Sequence, residues 1–358
     1  MEGEIYMQKF KNLNVVLLLM LILILFLTGC EINPEESFQY NNEDLIVHFV
    51  DIGQGDSIFI QFPNGETSLI DAGPKVSSDI IVNYLKEMKV EKIDYIIATH
   101  PHEDHIGGLP EVIKNFEIGK IYMPDKTANT TIFKRLLSEI KSKDLKVNIP
   151  SAGEFIIDNN DLKYQVLAPN GDKYDNTNDY SIVSKITFKD NSFLFTGDAE
   201  KISEKEMVEK GYDLTANVLK VGHHGSSTST TEEFLRKVGP AYGVISLAKD
   251  NKYGHPHKET IELLNKNGIK VLRTDELGNI IIKSNGKDIE VLDRNNLGNS
   301  IQEKNDEKVE ENYIGNKNTK IYHSPDCNSL PKEENQMKFK SKEEAESKGY
   351  KLHEKCIK

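Results

Sequence analysis

The chain has 358 residues, of which 45 are Lys or Arg and 57 are Asp or Glu, so its formal net charge is −12. Hydrophobic residues make up 37% and charged residues 28%, a balance that excludes wholesale disorder and a polytopic membrane protein. The length accommodates one or two domains. Three cysteines, Cys30, Cys327 and Cys356, are too few for a disulfide framework in a chain this long.

The N-terminal segment has the pattern of a secretory signal. Thirteen apolar residues, Val15 to Leu27, follow Lys9 and Lys11, and this run is shorter than the roughly 20 residues of a membrane-spanning helix. The sequence LTGC that ends at Cys30 resembles the bacterial lipobox. The resemblance implies a lipidated Cys30 that attaches the chain to the lipid bilayer, at the extracellular face of the bacterial cell membrane. The alternative is an uncleaved signal anchor with an incidental cysteine.

From Leu45 onward, short apolar runs end in Gly, Asp or His, which is typical of strands followed by turns. The predicted strands are, in chain order, LIVHFV, SIFIQF, TSLIDAG, DYIIATH, YQVLAP, SIVSKITF, SFLFTGD, NVLKVGHH, YGVISLA, IKVLRTD, NIIIKS and DIEVLD. Helical spacing of apolar residues predicts helices over 78–88, 131–140, 201–210, 231–238 and 258–267. Two blocks of strands separated by helices indicate an α/β sandwich and exclude a helical bundle.

Composition divides the chain into five predicted segments. They are a signal peptide (1–29), a tether (30–43), a main domain (44–293), a polar linker (294–316) and a C-terminal module (317–358). The module has ten lysines against seven acidic residues. A small basic module is therefore predicted to follow an acidic body.

Nine of the ten histidines lie in clusters, and the densest cluster follows the predicted strand DYIIAT. It contains His100, His102, Asp104 and His105. So many imidazole and carboxylate groups cannot all be buried without compensation, whereas divalent metals favour these ligands. Alternation predicts that His100 and His102 face one metal while Asp104 and His105 face a second. The isolated His48 is predicted to be structural.

The motif HxHxDH at 100–105 resembles the signature of the metallo-β-lactamase superfamily, and further family motifs follow in order over about residues 45 to 293. The resemblance implies an αββα sandwich with two divalent metal ions. By this resemblance, Asp71 supports the metal-binding loop and Asp198 bridges the metals. One of His223 and His224 completes the second metal, and the resemblance slightly favours His224.

One family residue is missing, because no histidine occurs between His105 and His223. Asn178 stands in that region instead. This departure, together with DIGQGD at 51–56 and YGHPH at 253–257, resembles the extracellular domain of ComEC competence proteins. The resemblance implies that the first metal is held either more weakly or by the oxygen of Asn178, so that both zinc and manganese remain candidates.

The implied chemistry is attack by a metal-activated hydroxide on a phosphodiester. The candidate catalytic residues are Asp104, Asp71, His223, His255 and His257. For His255 and His257, the alternative is a supporting role in a loop. Asp56 is predicted either to orient the site or to cap a turn.

In the C-terminal module, His323 and Cys327 form one short pair and His353 and Cys356 another, on either side of a predicted helical stretch, SKEEAESKG. This spacing suits one tetrahedral zinc ion and resembles the zinc-binding domain of Ada-type DNA-repair proteins. A histidine stands where that family has its alkyl-accepting cysteine, so alkyl transfer is not expected. A disulfide between Cys327 and Cys356 is the alternative.

The leading functional hypothesis is a surface-anchored nuclease or phosphodiesterase that acts on extracellular DNA. The net charge of −12 provides no basic surface for a duplex, but the metals and the lysine-rich module would attract phosphates. One alternative is a small-molecule hydrolase of the phosphocholine esterase or lactonase type. Another is a non-catalytic binding lipoprotein with a metal-stabilised fold, which the intact set of predicted ligands disfavours.

Overall fold

The computed structural model describes residues 43–292, 313–323, 329–339, 345–346 and 348–353. The predicted signal peptide, almost all of the tether and all three cysteines lie outside these residues. The chain divides into two compact units, Met1–Val291 and Leu292–Lys358. In the described part of the chain, no helix is both long and apolar enough to cross a membrane.

The first unit contains two sheets. Its strands are β1 (Leu45–Phe49), β2 (Ile58–Gln61), β3 (Thr67–Ile70), β4 (Lys92–Ile97), β5 (Glu117–Tyr122), β6 (Val147–Asn148), β7 (Phe155–Asp158), β8 (Leu162–Ala168), β9 (Val183–Phe188), β10 (Asn191–Phe195), β11 (Val218–Lys220), β12 (Tyr242–Ile245), β13 (Lys270–Arg273), β14 (Ile280–Ser284) and β15 (Ile289–Leu292). One sheet has eight strands in the order β15-β14-β1-β2-β3-β4-β5-β6, and the other has seven in the order β13-β12-β11-β10-β9-β8-β7.

The helices of this unit lie between single strands or between runs of consecutive strands. They are α1 (Ser78–Glu87), α2 (Glu103–Ile106), α3 (Leu109–Asn115), α4 (Thr131–Ser142), α5 (Lys201–Glu209), α6 (Glu232–Val238), α7 (Lys258–Lys266) and α8 (Thr274–Leu277). Helix α4 shows why the chain is helical there. The side chain of Thr130 accepts a hydrogen bond from the Phe133 amide and caps the first turn. Phe133, Leu136 and Ile140 then place one apolar stripe against the core.

The core has three layers of apolar packing. Alternate residues of β1, such as Val47 and Phe49, pack against Phe193 and Phe195 of the other sheet. The outer face of the eight-stranded sheet packs on α1, α3 and α4, and that of the seven-stranded sheet packs on α5, α6 and α7. Two sheets enclosed by helices on both sides confirm the predicted αββα sandwich.

The predicted strands and helices are all present, but the sequence reading missed β5, β6 and β7. In β5 only Ile118, Ile121 and Tyr122 are buried, while its remaining residues are exposed, so the expected alternation is absent. Strand β6 has only two residues, both exposed. Short strands at a sheet edge are defined by pairing with a neighbour rather than by their own pattern.

The second unit contains a four-stranded sheet in the order β18-β16-β17-β19. These strands are β16 (Tyr313–Asn316), β17 (Ile321–His323), β18 (Gln336–Phe339) and β19 (Lys351–Leu352). Four buried residues form its core: Tyr322, Phe339, Ala345 and Tyr350. Most of the predicted helical stretch at 341–349 lies outside the described residues.

Strand β16 corrects the predicted linker, because it falls within 294–316. A four-residue strand carries too short a pattern to stand out from a polar segment. Its assignment depends on antiparallel pairing with β17 and β18. Gly315 lies against Phe339 and Tyr350, whose rings a Cβ atom would contact too closely.

Candidate metal centre

The candidate site residues follow the ends of strands in both sheets. Strands β3 and β4 are parallel, so Asp71 and His100, which follow them, lie at the same edge. Strands β10 and β11 are also parallel, and they bring Asp198 close to His223 and His224. The site is therefore assembled at one edge of the sandwich, where these strands end.

The first group of possible ligands consists of His100, His102 and Asp198. His100 Nε2 lies 2.9 Å from His102 Nδ1 and 3.8 Å from Asp198 Oδ2. The other ring nitrogen of His100 contacts the hydroxyls of Thr99 and Ser181, at 3.1 and 3.3 Å. These contacts turn Nε2 of His100 toward the other members of the group.

The second group consists of Asp104, His105 and His224. His224 Nε2 lies 3.6 Å from Asp104 Oδ2. His224 Nδ1 donates to the Ser246 carbonyl oxygen at 2.9 Å, which leaves Nε2 as the ring nitrogen that faces the group. The structure thus separates the histidine pair left open by the sequence: His224 is buried within this group, and His223 is not a member of it.

Asp198 lies between the two groups. Its Oδ2 is 3.2 Å from His105 Nε2, and its Oδ1 is 3.6 Å from His224 Nε2. Burial opposes the charged form of Asp198, but His105 and His224 hold its pKa well below the ordinary range. This position is the one expected of a bridging carboxylate, and the bridging role itself stays a prediction.

Asp71 supports the metal-binding loop from behind. Its carboxylate accepts hydrogen bonds from the Thr99 amide (2.8 Å), the Thr99 hydroxyl (2.6 Å) and His105 Nδ1 (2.7 Å). Asp71 has a positive φ of 55°, which is uncommon outside glycine. The bond to His105 Nδ1 leaves His105 Nε2 to face Asp198, which is how a carboxylate behind a ligand fixes the orientation of that ligand.

Several buried atoms at this centre have no hydrogen-bond partner among the described residues: His105 Nε2, His224 Nε2, Asp198 Oδ1 and Asn178 Oδ1. Buried polar atoms are normally paired, because an unpaired one costs about 1–3 kcal/mol. Imidazole nitrogens and oxygens are also the donors that zinc and manganese accept. The residues therefore fit divalent metal ions, and a bound metal would satisfy these atoms.

Asn178 and His223 lie on the same side of the centre. Asn178 Nδ2 donates to Glu200 Oε1 at 3.0 Å, so its buried Oδ1 points elsewhere. His223 Nδ1 lies 3.2 Å from the same Glu200 oxygen, and His223 Nε2 lies 3.7 Å from Asp198 Oδ2. Glu200 was missed by the sequence reading, although it follows Asp198 by two residues.

Asp56 belongs to a buried ion pair that the sequence reading also missed. Its Oδ2 lies 2.9 Å from Lys220 Nζ, and both side chains are almost fully buried. Its Oδ1 lies 3.4 Å from His224 Nδ1. Burial opposes the charged form of Asp56, but Lys220 and His224 lower its pKa. Of the two predicted roles, these contacts favour orientation of the site over the capping of a turn.

Gly55, the residue before Asp56, explains how the loop after β1 reaches the metal centre. Gly55 has a φ of +123°, and a Cβ atom there would clash with the carbonyl oxygen of Asp104. The Asp56 amide donates to that same oxygen at 3.3 Å. Glycine thus permits the loop after β1 to pack directly on the metal-binding loop.

A cavity of about 360 Å³ opens over both groups. Its wall includes six residues outside the two groups: Gln54, Glu103, Asn178, His223, Tyr253 and His255. Burial and the neighbouring His223 and His224 lower the pKa of His255 to about 4, so this ring is neutral near pH 7.

His257, unlike His255, does not line this cavity. Its Nδ1 accepts from the Ser227 amide at 3.0 Å, and its Nε2 lies 3.4 Å from the Tyr253 carbonyl oxygen. These contacts favour the alternative role, in which His257 supports a loop. The sequence could not separate it from His255, since both belong to the same short motif.

His48 contacts none of the candidate metal ligands among the described residues. Its ring nitrogens contact the Tyr84 hydroxyl at 2.8 Å and Gln61 Oε1 at 3.0 Å. Burial lowers the pKa of His48 to about 4. These contacts agree with a structural residue.

In the second unit, the rings of His323 and His353 have centroids 4.5 Å apart. The parallel strands β17 and β19 place them side by side, and the His353 amide donates to the Tyr322 carbonyl oxygen at 2.8 Å. The structure therefore brings together the two predicted histidine ligands. Cys327 and Cys356 lie outside the described residues.

Comparisons with known proteins agree with this geometry. Residues 298–357 match the metal binding domain of Ada. The chain is 31% identical over 251 residues to ComE operon protein 3 of Bacillus subtilis (strain 168), covering 65% of this chain and 32% of that protein. It is 30% identical over 230 residues to competence protein ComA of Neisseria gonorrhoeae, covering 64% of this chain and 30% of that protein.

A third relative is recombination protein 2 of Haemophilus influenzae (strain ATCC 51907 / DSM 11121 / KW20 / Rd), which is 26% identical over 239 residues, covering 65% of this chain and 28% of that protein. The chain thus spans about a third of the length of these curated relatives. Residues 50–249, more than half of the chain, match the metallo-beta-lactamase superfamily. Together with the αββα sandwich and the two groups of ligand side chains, this match shows that the chain belongs to the metallo-beta-lactamase superfamily.

Proposed function

We propose that this protein is a metal-dependent phosphodiesterase, most specifically a nuclease that acts on extracellular DNA. The observation that carries the proposal is the pair of ligand groups that face one cavity, with Asp198 of the first group in contact with His105 and His224 of the second. Two adjacent divalent ions suit displacement at phosphorus, because they stabilise both the attacking and the leaving oxygen. The names of two relatives, competence protein ComA and recombination protein 2, support DNA as the substrate.

When bound, two divalent metals supply Lewis acidity and lower the pKa of a bound water molecule. The residues of the chain position these ions and handle the proton. The contact of His223 Nδ1 with Glu200 leaves Nε2 on the side of Asp198 and the cavity. From there, His223 can donate a proton to the leaving oxygen, while the neutral His255 beside it contacts the substrate.

The charge of the protein affects how DNA would bind. The chain carries a net charge of −12, so the acidic body repels DNA outside the metal centre. The C-terminal module, with its excess of lysines, is the region that would attract phosphates. This electrostatic contribution weakens as salt rises.

We expect manganese to stimulate cleavage of DNA by the full chain, and we expect His102→Ala or Asp104→Ala to abolish that cleavage. Removal of residues 317–358 should weaken it, because Lys-rich contacts to phosphate are lost. A nuclease assay with manganese, zinc or magnesium measures both effects.

A matched control is Glu87→Ala, a change of an exposed acid at the end of α1. If DNA stays intact with all three metals while a phosphocholine ester or a lactone is hydrolysed, the nuclease hypothesis is wrong and the protein is a small-molecule hydrolase.

We also propose that the protein is anchored to the outer face of the cell membrane through Cys30. Cys30→Ala should prevent lipidation and release or mislocalise the chain. Cell fractionation combined with the intact mass of the protein measures this. Membrane association that persists with an uncut mass would indicate a signal anchor instead.

We propose one structural zinc ion in the second unit, held by His323, Cys327, His353 and Cys356. His323→Ala in the full chain should lower the zinc content by one ion per chain, because tetrahedral sites need all four ligands. Lys338→Ala, an exposed change on β18, is the control and should leave the zinc content unchanged. A content that His323→Ala does not alter, together with two thiols that resist alkylation, would favour the Cys327–Cys356 disulfide.

A further inference from the structure

The rim of the cavity carries an exposed aromatic ring. Tyr253 is 51% exposed and lines the cavity. Its ring stacks on His255, with centroids 5.6 Å apart and planes at 24°. The His255 ring in turn lies 5.4 Å from that of His223, which contacts Asp198. Three rings therefore lead from the solvent to the metal centre.

The loop that carries these rings is held by one side chain. Asn251 Oδ1 accepts from the amides of Tyr253 (3.2 Å) and His255 (3.0 Å), and Asn251 Nδ2 donates to the His255 carbonyl oxygen at 2.6 Å. The His257 ring also contacts the Tyr253 carbonyl oxygen. The exposed ring thus sits on a loop whose backbone is fixed before any substrate arrives.

Charge at the rim is unevenly distributed. Lys252 is exposed, and its Nζ lies 5.1 Å from the centre of the Tyr253 ring. Glu103 is exposed and also lines the cavity, and Glu200 lies beside His223. A phosphate chain is attracted toward Lys252 and repelled by the two carboxylates. An aromatic platform beside a cation is the combination by which proteins bind single-stranded nucleic acid.

We infer that Tyr253 stacks on an unpaired base of the substrate while the adjacent phosphodiester reaches the metal centre. This inference rests on the proposed nuclease function and specifies its substrate as single-stranded DNA or an unpaired DNA end. In a duplex, both faces of each base are covered by its neighbours, so the base must leave the stack before a side chain can contact its face. A cavity of about 360 Å³ accommodates one nucleotide but not a duplex.

The test compares two single-stranded oligonucleotides, one with normal bases and one with abasic sites around the cleaved phosphate. In the wild-type full chain, the normal oligonucleotide should have the lower KM. Tyr253→Ala should raise that KM about 10-fold and remove the preference over the abasic substrate, whereas Tyr253→Phe should retain both. Quenching of 2-aminopurine fluorescence on binding provides a second readout that does not depend on turnover, and Tyr253→Ala should lose it.

Phe155→Ala is a matched control, because Phe155 is the other exposed Phe or Tyr among the described residues of the first unit and also lies beneath a lysine. It should change neither the KM nor the quenching. An equal effect of Tyr253→Ala on normal and abasic substrates would overturn the stacking role while DNA cleavage itself remained. Cleavage of duplex as fast as single strands by both wild type and Tyr253→Ala would also overturn it. No cleavage of any DNA would defeat the proposed function, and the inference with it.

Discussion

Asp198→Ala is expected to remove most of both metal ions and to lower kcat by about 1,000-fold or more, since two bound metals contribute several kcal/mol of transition-state stabilisation. The reason is geometric. Asp198 is the residue whose carboxylate contacts both groups, through His100 and His105 on one oxygen and His224 on the other. Elemental analysis of the purified full chain measures the metal content, and an assay on DNA measures kcat.

Asp213→Ala is the control for this variant. The Asp213 side chain is exposed and pairs with the buried Lys185 of β9, away from the metal centre, so its loss should affect neither the metal content nor kcat. Full occupancy of both metals in Asp198→Ala would rule out the bridging role. Loss of a single metal would assign Asp198 to one group only.

Lys220→Met is expected to lower the free energy of unfolding by about 3–5 kcal/mol, because it leaves the buried carboxylate of Asp56 without its partner. The two side chains lie 2.9 Å apart and are almost fully buried. Asp56 also lies beside His224, so the variant should in addition weaken metal binding by the second group. Denaturant unfolding and a metal titration measure the two effects.

A double variant separates the ion pair from general damage. Asp56→Asn combined with Lys220→Met leaves no uncompensated charge, so it should be less destabilised than the sum of the single variants, with a coupling free energy of about 1–3 kcal/mol. Lys185→Met is the matched control, since Lys185 is also buried but its partner Asp213 is exposed. That change should cost about 0–1 kcal/mol. Equal losses in Lys220→Met and Lys185→Met would contradict a special role for the buried pair.

The sequence by itself determined the features that depend on local spacing. The motif at 100–105 places His100 and His102 in one group and Asp104 and His105 in the other, because neighbouring residues on one loop keep a fixed order around the site. That each group holds one metal stays a prediction. The fold class could also be predicted from the sequence, since blocks of strands that end in Gly, Asp or His are separated by amphipathic helices. These signals are carried by neighbouring residues in the chain.

Only the tertiary structure decided which distant residues meet. His223 and His224 are adjacent, and both have a left-handed φ. Their different roles depend on distant residues, because Glu200 contacts His223 and the Ser246 carbonyl oxygen accepts from His224. Lys220 is one polar residue in the strand NVLKVGHH, and the fold places Asp56 beside it. Tyr253 became a candidate contact for DNA only when its ring was found at the rim of the cavity. Contacts between residues far apart in the chain depend on how the two sheets pack, and hydrophobic periodicity in the sequence specifies which face of a strand is buried but not which partner it meets.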